Sequence, residues 1–68
     1  MRRISYNKLW KLLIDVGWNK SDLKEKAGIS AASIAKLGKG DNITTDVLLK
    51  VCDALDCKLE DIIETIIE

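Results

Sequence analysis

Leu9, Leu12, Leu13 and Val16 fall at i, i+3, i+4 and i+7, the spacing that lines one face of an α-helix. The same interval returns at Leu48, Val51, Cys52 and Leu55. Shorter stripes lie between, Leu23 with Ala27 and Ile34 with Leu37, and an isoleucine-rich run follows: Leu59, Ile62, Ile63, Ile66 and Ile67. Capping and breaking residues divide the chain at matching places. Ser5 is placed to cap a first helix from about Tyr6 to Val16, which Gly17 ends because glycine turns left-handed without a Cβ clash. Asn19 caps a second helix, Lys20 to Ala27, with Asp22 in the first turn where the helix dipole favours a carboxylate. Gly28 breaks it, Ile29 points inward, and Ser30 caps a third helix from Ala31 to Lys36 or Leu37, closed by Gly38, Lys39 and Gly40. Thr44 caps a fourth, Thr45 to Leu55, and the isoleucine run predicts a fifth, Leu59 to Ile67. No strand is predicted. The expectation is one all-α domain of five helices over residues 1–68, with no linker or repeat. Trp10, Ile14 and Trp18 lie off the main stripe of the first helix and read as a second packing surface in preference to a partner interface.

Composition narrows the chemistry. A chain of 68 residues buries only about 60% of the surface it exposes when unfolded. With 47% hydrophobic and 32% charged residues it has a globular balance. There is no His, which excludes His-based acid–base catalysis, Ser–His or Cys–His pairs and His-ligated metals. Two Cys without His cannot make a usual four-ligand zinc set. The expectation is therefore no enzyme, no metal and no cofactor. No apolar run approaches the ~20 residues needed to span a bilayer, and no signal-peptide pattern follows Met1-Arg2-Arg3. The protein is expected to be cytoplasmic and to engage no membrane. Cys52 lies on the fourth stripe as a buried small hydrophobe, and Cys57 is a candidate for a redox role if its thiol is exposed.

The net charge of zero conceals a division. Residues 1–40 carry nine basic and three acidic residues, a net of +6, and residues 41–68 carry two basic and eight acidic, a net of −6. Such asymmetry hints at a polyanion-binding face. Residues 20–40 sharpen the hint. Two short helices meeting at a tight turn on Gly28, with Ile29 inward and Ser30 capping, have the helix-turn-helix layout. What remains outward on the second of them is Ala31, Ala32, Ser33, Ala35 and Lys36. Small side chains with one Lys suit close insertion into a DNA major groove, where methyls can touch thymine methyls.

At this point the sequence resembles the Cro/cI-type (Xre-like) helix-turn-helix DNA-binding domains of phage repressors and bacterial regulators, over roughly residues 6 to 65. The residues carrying the likeness are Leu23, Ala27-Gly28-Ile29-Ser30, Ser33-Ile34, Lys36-Leu37, Gly40, Leu48 through Leu55, and Leu59-Glu60-Asp61-Ile62. Within the family it is most similar to short, stand-alone regulators of mobile elements and glycopeptide-resistance clusters. The resemblance implies a five-helix, lambda-repressor-like domain whose third helix is the recognition helix. It implies that Ser30, Ala31, Ala32 and Ser33 form the groove-facing end, with Lys36 one turn on. Lys20 would meet phosphate at the start of the second helix, and Lys39 and Asn42 would reach adjacent phosphates. Three positions depart from the family pattern. Lys24 stands where Ala is usual, Gly38 where an acidic residue is frequent, and Ala31 and Ala32 where polar base-readers are common. The last leaves Ser33 and Lys36 as the base-edge hydrogen-bonding groups, so specificity leans on DNA shape.

The function expected is a sequence-specific regulator of double-stranded DNA on a near-palindromic operator, a repressor if it occupies a promoter or an aid to polymerase if it binds just upstream, with no small-molecule ligand. Ile66 and Ile67 have little left to cover in so small a domain, which makes them natural homodimer contacts; the alternative is that they fold back on Trp10 and Ile14. A reading from a different class stays open beside this one. It is a protein-interaction module on the same fold, antitoxin-like or an anti-regulator, favoured by net neutrality and the Ala31-Ala32 face.

Overall fold

The computed structural model describes residues 1–67; Glu68, counted in the predicted domain, lies outside them. The chain runs β1 (Arg2–Ser5), α1 (Asn7–Val16), α2 (Lys20–Ala27), α3 (Ala31–Lys39), α4 (Thr45–Leu55), a 3-10 turn (Leu59–Asp61) and β2 (Glu64–Ile67). Leu9, Leu23, Leu37, Val51 and Ile62, each under 2% exposed, form the centre, with Leu13, Leu48, Cys52 and Ile29 around them. Three of the predicted caps take their expected form. The Asn19 side chain accepts the Asp22 amide at 2.8 Å while the Asp22 carboxylate accepts the Asn19 amide at 3.0 Å. Ser30 and Thr44 accept the amides of Ser33 and Val47 at 3.1 and 3.4 Å. Each bond satisfies one of the amides that a helix start leaves without a partner.

Among the described residues the fifth helix is absent. Four α-helices and a two-stranded antiparallel sheet replace the five-helix, all-α expectation, with Arg2 opposite Ile67, Arg3 opposite Ile66, Ile4 opposite Thr65 and Ser5 opposite Glu64. A helical turn does start at Leu59, where the Asp61 carboxylate accepts the Lys58 amide at 3.0 Å. It stops once the Ile62 and Ile63 amides have both used the Leu59 carbonyl. Beyond it, Thr65, Ile66 and Ile67 are β-branched, stiff at χ1 and better suited to a pleated strand than to a helix. The strand forms because β1 offers an edge from the far end of the chain. Ile66 and Ile67, expected on a helix, therefore lie on β2, the first half-buried and the second 72% exposed.

Two helix ends also differ from expectation. Ser5 belongs to β1, and Tyr6 holds the cap position of α1 without a side-chain cap bond. Ser5 still serves the helix, since its hydroxyl oxygen accepts the Asn7 amide at 3.3 Å. The third helix runs past Leu37 through Gly38 and Lys39 to Gly40, whose φ of 77° is left-handed. An interior glycine costs a helix only about 1 kcal/mol. Continuing satisfies more backbone groups: Gly40 donates to the Leu37 carbonyl and Asp41 to that of Lys36.

At the end of α4, Asp56 turns left-handed with φ 50°, and the Cys57 amide donates back to the Cys52 carbonyl at 3.1 Å. This puts the two cysteines where a helix end of this form usually places an apolar contact. Cys52 is buried and Cys57 half-buried. Burial, then the Cys52 thiol and the nearby Asp61 and Asp56 carboxylates, push the Cys57 thiol up to about 11. It is thus held as the unreactive thiol at neutral pH, which removes the basis for the redox role that exposure would have given it. Since the folded value lies above the ordinary 9.0, the unfolded thiol ionises first as pH rises. The stability it contributes is present below pH 9 and is lost between about 9 and 11. Melting temperature should fall over that window, and Cys57→Ala should flatten the fall; the same profile in both proteins would sink this account.

Candidate nucleic-acid interface

The segment from Asn19 to Gly40 is built as two capped helices around one forced turn. Gly28 sits at φ 68°, and its amide and that of Ile29 both donate to the Lys24 carbonyl, at 3.0 and 3.1 Å. The reversal turns Ile29 into the core at 7% exposure and leaves Ser30 extended, ready to cap α3. Leu23 and Leu37 fix α2 and α3 to the centre. Lys24, the departure from the family pattern at a helix approach, is exposed, so its stem leaves the packing undisturbed.

On α3, Leu37 faces inward and Ser33 and Ile34 are half-buried, while Ala31, Ala32, Ala35, Lys36 and Lys39 are exposed. The outer face is thus small and apolar at its start and cationic at its end. Ser30 is exposed and does double duty within the turn, because its hydroxyl also donates to the Ser33 hydroxyl oxygen at 3.1 Å. That leaves the Ser33 hydroxyl with its own proton to donate. Asn42 is exposed in the loop after α3. The loop is tied to the start of α1 by the buried Tyr6, whose hydroxyl donates to the Asp41 carbonyl at 2.7 Å. Burial and the adjacent Asp41 carboxylate raise the Tyr6 hydroxyl above its usual range, so it remains a donor through neutral pH.

Lys20 has partners that its sequence position did not reveal. Its ammonium lies over the Trp10 ring, 5.1 Å from the centroid, and 3.3 Å from where a Cβ on Gly38 would stand. The start of α2 thereby meets the end of α3 across a Trp from α1. Lys26 lies over Trp18 in the same way, also at 5.1 Å. Both tryptophans are half-buried and packed against the core, which agrees with their reading as packing residues, whereas Ile14, read with them, is 78% exposed and does not join that surface.

The model of the Cro/C1-type HTH DNA-binding domain matches residues 8–68. The chain belongs to the Cro/C1-type helix-turn-helix family. The partner this family implies is double-stranded DNA. The chain is 51% identical to the transcriptional regulator VanUg, covering 98% of this chain and 89% of that one, and superimposes on its crystal structure with a TM-score of 0.93. It is also 33% identical over 57 residues to the HTH-type transcriptional regulator YgzD of Bacillus subtilis (strain 168), covering 82% of this chain and 86% of YgzD.

Within this Cro/C1-type domain, Ser30 to Lys39 form one continuous capped unit, and the Lys20 ammonium lies beside Gly38 near its end. Ile66 and Ile67 lie on the terminal sheet, apart from that unit. No helix among the described residues is long and apolar enough to cross a membrane. Trp10 and Gly38 were missed as neighbours of Lys20, and only the paired aromatic and basic residues of the first half hinted at it.

The turn at Gly28 is open to a direct check. A Cβ there would meet nothing within 4 Å, so the cost of a side chain is its backbone conformation alone. Gly28→Val should lose on the order of 1–2 kcal/mol or more, lowering Tm by about 4–8 °C per kcal/mol. Gly28→Asn should lose less, because Asn tolerates this conformation. A valine variant melting with the parent would remove the turn from the argument.

Proposed function

We propose that the chain is a sequence-specific transcriptional regulator that represses by occupying a near-palindromic operator as a homodimer, with α3 in the major groove. The observation that carries this reading is the outer face of α3, where exposed alanines precede Lys36 and Lys39 on a helix fixed by the Ser30 cap. VanUg and YgzD, both transcriptional regulators by name, support it.

In mechanism, the Ala31 and Ala32 methyls approach the base edges closely and favour thymine methyls, while Ser33 and Lys36 supply the hydrogen bonds. Lys20, Lys39 and Asn42 contact backbone phosphates, which set register and supply most of the salt-dependent affinity. The backbone amides at the capped start of α3 add to that field. With two base-edge donors per half-site, discrimination rests partly on how readily the operator deforms.

The dimer is supported by the sheet. Among the described residues it has two strands, which leaves β2 an outer edge open to pairing. Antiparallel pairing of β2 with a second β2 would join two copies about a two-fold axis and cover the exposed Ile67. The reading includes no catalysis by this chain, whose sequence has no His and offers no catalytic constellation.

Selection from a random duplex library should enrich an inverted repeat, with half-sites about one helical turn apart. A single half-site would remove the dimer, and no enrichment from folded protein at low salt would transfer the case to the protein-interaction module. On the enriched duplex, Lys36→Ala should cost binding at the low end of about 1–3 kcal/mol and relax specificity at one position. Lys39→Ala should weaken specific and scrambled duplexes alike and reduce the salt slope by about one. Equal losses on both duplexes for Lys36→Ala would overturn its base-reading role.

A further inference from the structure

Trp10 and Ile14 stand four residues apart on α1 and so share one face of it. The turn at Gly17 brings Trp18 back to that helix end, because the Trp18 amide donates to the Leu13 carbonyl at 2.9 Å. Both rings line an open groove of about 340 Å³, together with the buried Leu13, Ile14 and Lys20. No Asp or Glu among the described residues joins that lining. Asp15, beside Ile14 in sequence, lines a different hollow near Cys57, and the Asp22 carboxylate accepts the Asn19 amide. The Lys20 and Lys26 ammonium groups stand over the two rings. The groove is thus apolar inside and cationic around its aromatic walls. Ile14, 78% exposed, takes no part in packing the core. A lone exposed aliphatic residue is ordinary, but one grouped with two aromatic rings inside a charged rim marks an interaction site.

We propose that this groove docks an acidic amphipathic helix of a partner protein, and that the docked helix withdraws Lys20 from DNA. The occupant lays its apolar stripe against Ile14 and the rings, as helices do in apolar grooves, and its carboxylates pair with Lys20 and Lys26. Charge selects this occupant. A second copy presenting the same face would set Lys20 and Lys26 against their own kind, and the reading above places the second copy on β2. A bilayer takes aromatic residues that protrude into it, whereas both rings here lie half-buried against the core. Because Lys20 is also assigned to phosphate, an occupied groove removes one backbone contact from the DNA interface. That consequence rests on the DNA-binding reading; the docking itself does not.

Trp10 and Trp18 are the two tryptophans of the chain, so intrinsic tryptophan fluorescence reports on this groove alone. The chain is titrated with a tryptophan-free peptide of about four helical turns, Leu along one stripe and Glu elsewhere, and with its counterpart carrying Lys for Glu. The Glu peptide should shift the emission saturably, and the Lys peptide should leave it in place. Ile14→Ser should weaken the Glu peptide about tenfold, as loss of a central anchor does, with Tm and duplex affinity at parental values. Leu49→Ser, which removes an exposed leucine from α4, should bind the peptide as the parent does. Lys26→Gln should make peptide binding less dependent on salt. Saturating Glu peptide should weaken duplex binding by the parent and lower its salt slope by about 0.9, and the same concentration should spare Ile14→Ser. Equal shifts with both peptides, or undiminished peptide binding by Ile14→Ser, would overturn the docking site. A shift with phosphatidylserine vesicles and none with the Glu peptide would overturn it in favour of a lipid surface, and an altered sedimentation coefficient for Ile14→Ser in favour of a second copy. Unchanged duplex binding by the peptide-saturated parent would overturn the competition with DNA. A parent that binds the Glu peptide but no duplex at low salt would overturn the DNA reading and leave the docking site standing.

Discussion

One apolar side chain from each of five segments meets the others at the centre: Leu9, Leu23, Leu37, Val51 and Ile62. A domain this small has no spare interior, so each segment must deliver its residue to that point, and the remaining geometry follows from the delivery. Gly28 has to reverse the chain within one residue for both Leu23 and Leu37 to arrive. The 3-10 turn has to stop at Asp61 so that Ile62 can drop inward. Packing to near-crystalline density leaves little tolerance at such a meeting point.

The surface is what that requirement leaves over. Because Leu37 alone anchors the later part of α3 in the core, the opposite side of the helix is free to be small and cationic. Trp10 on α1 and Trp18 just after it serve two purposes. Their buried faces close the side of the core, and their outer faces hold Lys20 and Lys26. Structural and electrostatic tasks are thus divided between the two sides of a single ring rather than between residues.

What could be read from the sequence was local. Asn19 with Asp22, Gly28, Ser30 and Thr44 each act within four residues of themselves, and each appears where the pattern placed it. The helix-turn-helix was legible for that reason. The end of α3 was not, because Gly38 and Gly40 look alike in sequence and only the carbonyls awaiting partners choose between them. The last segment was misread for a different reason: Leu59, Ile62, Ile63, Ile66 and Ile67 keep helical spacing, and the strand that captures their end lies at the opposite terminus.

The pairing of Arg2 with Ile67 spans sixty-five positions, and this sets the order in which the molecule can come together. Loop closure over such a separation is costly in entropy and gains little until the intervening helices have shortened the distance. On the ribosome, β1 emerges first and finds no strand to pair with until Glu64–Ile67 has been made. The ribbon thus forms only after all four helices have been made. A nascent copy that stops short of Glu64 carries those helices without the strap that ties β1 down.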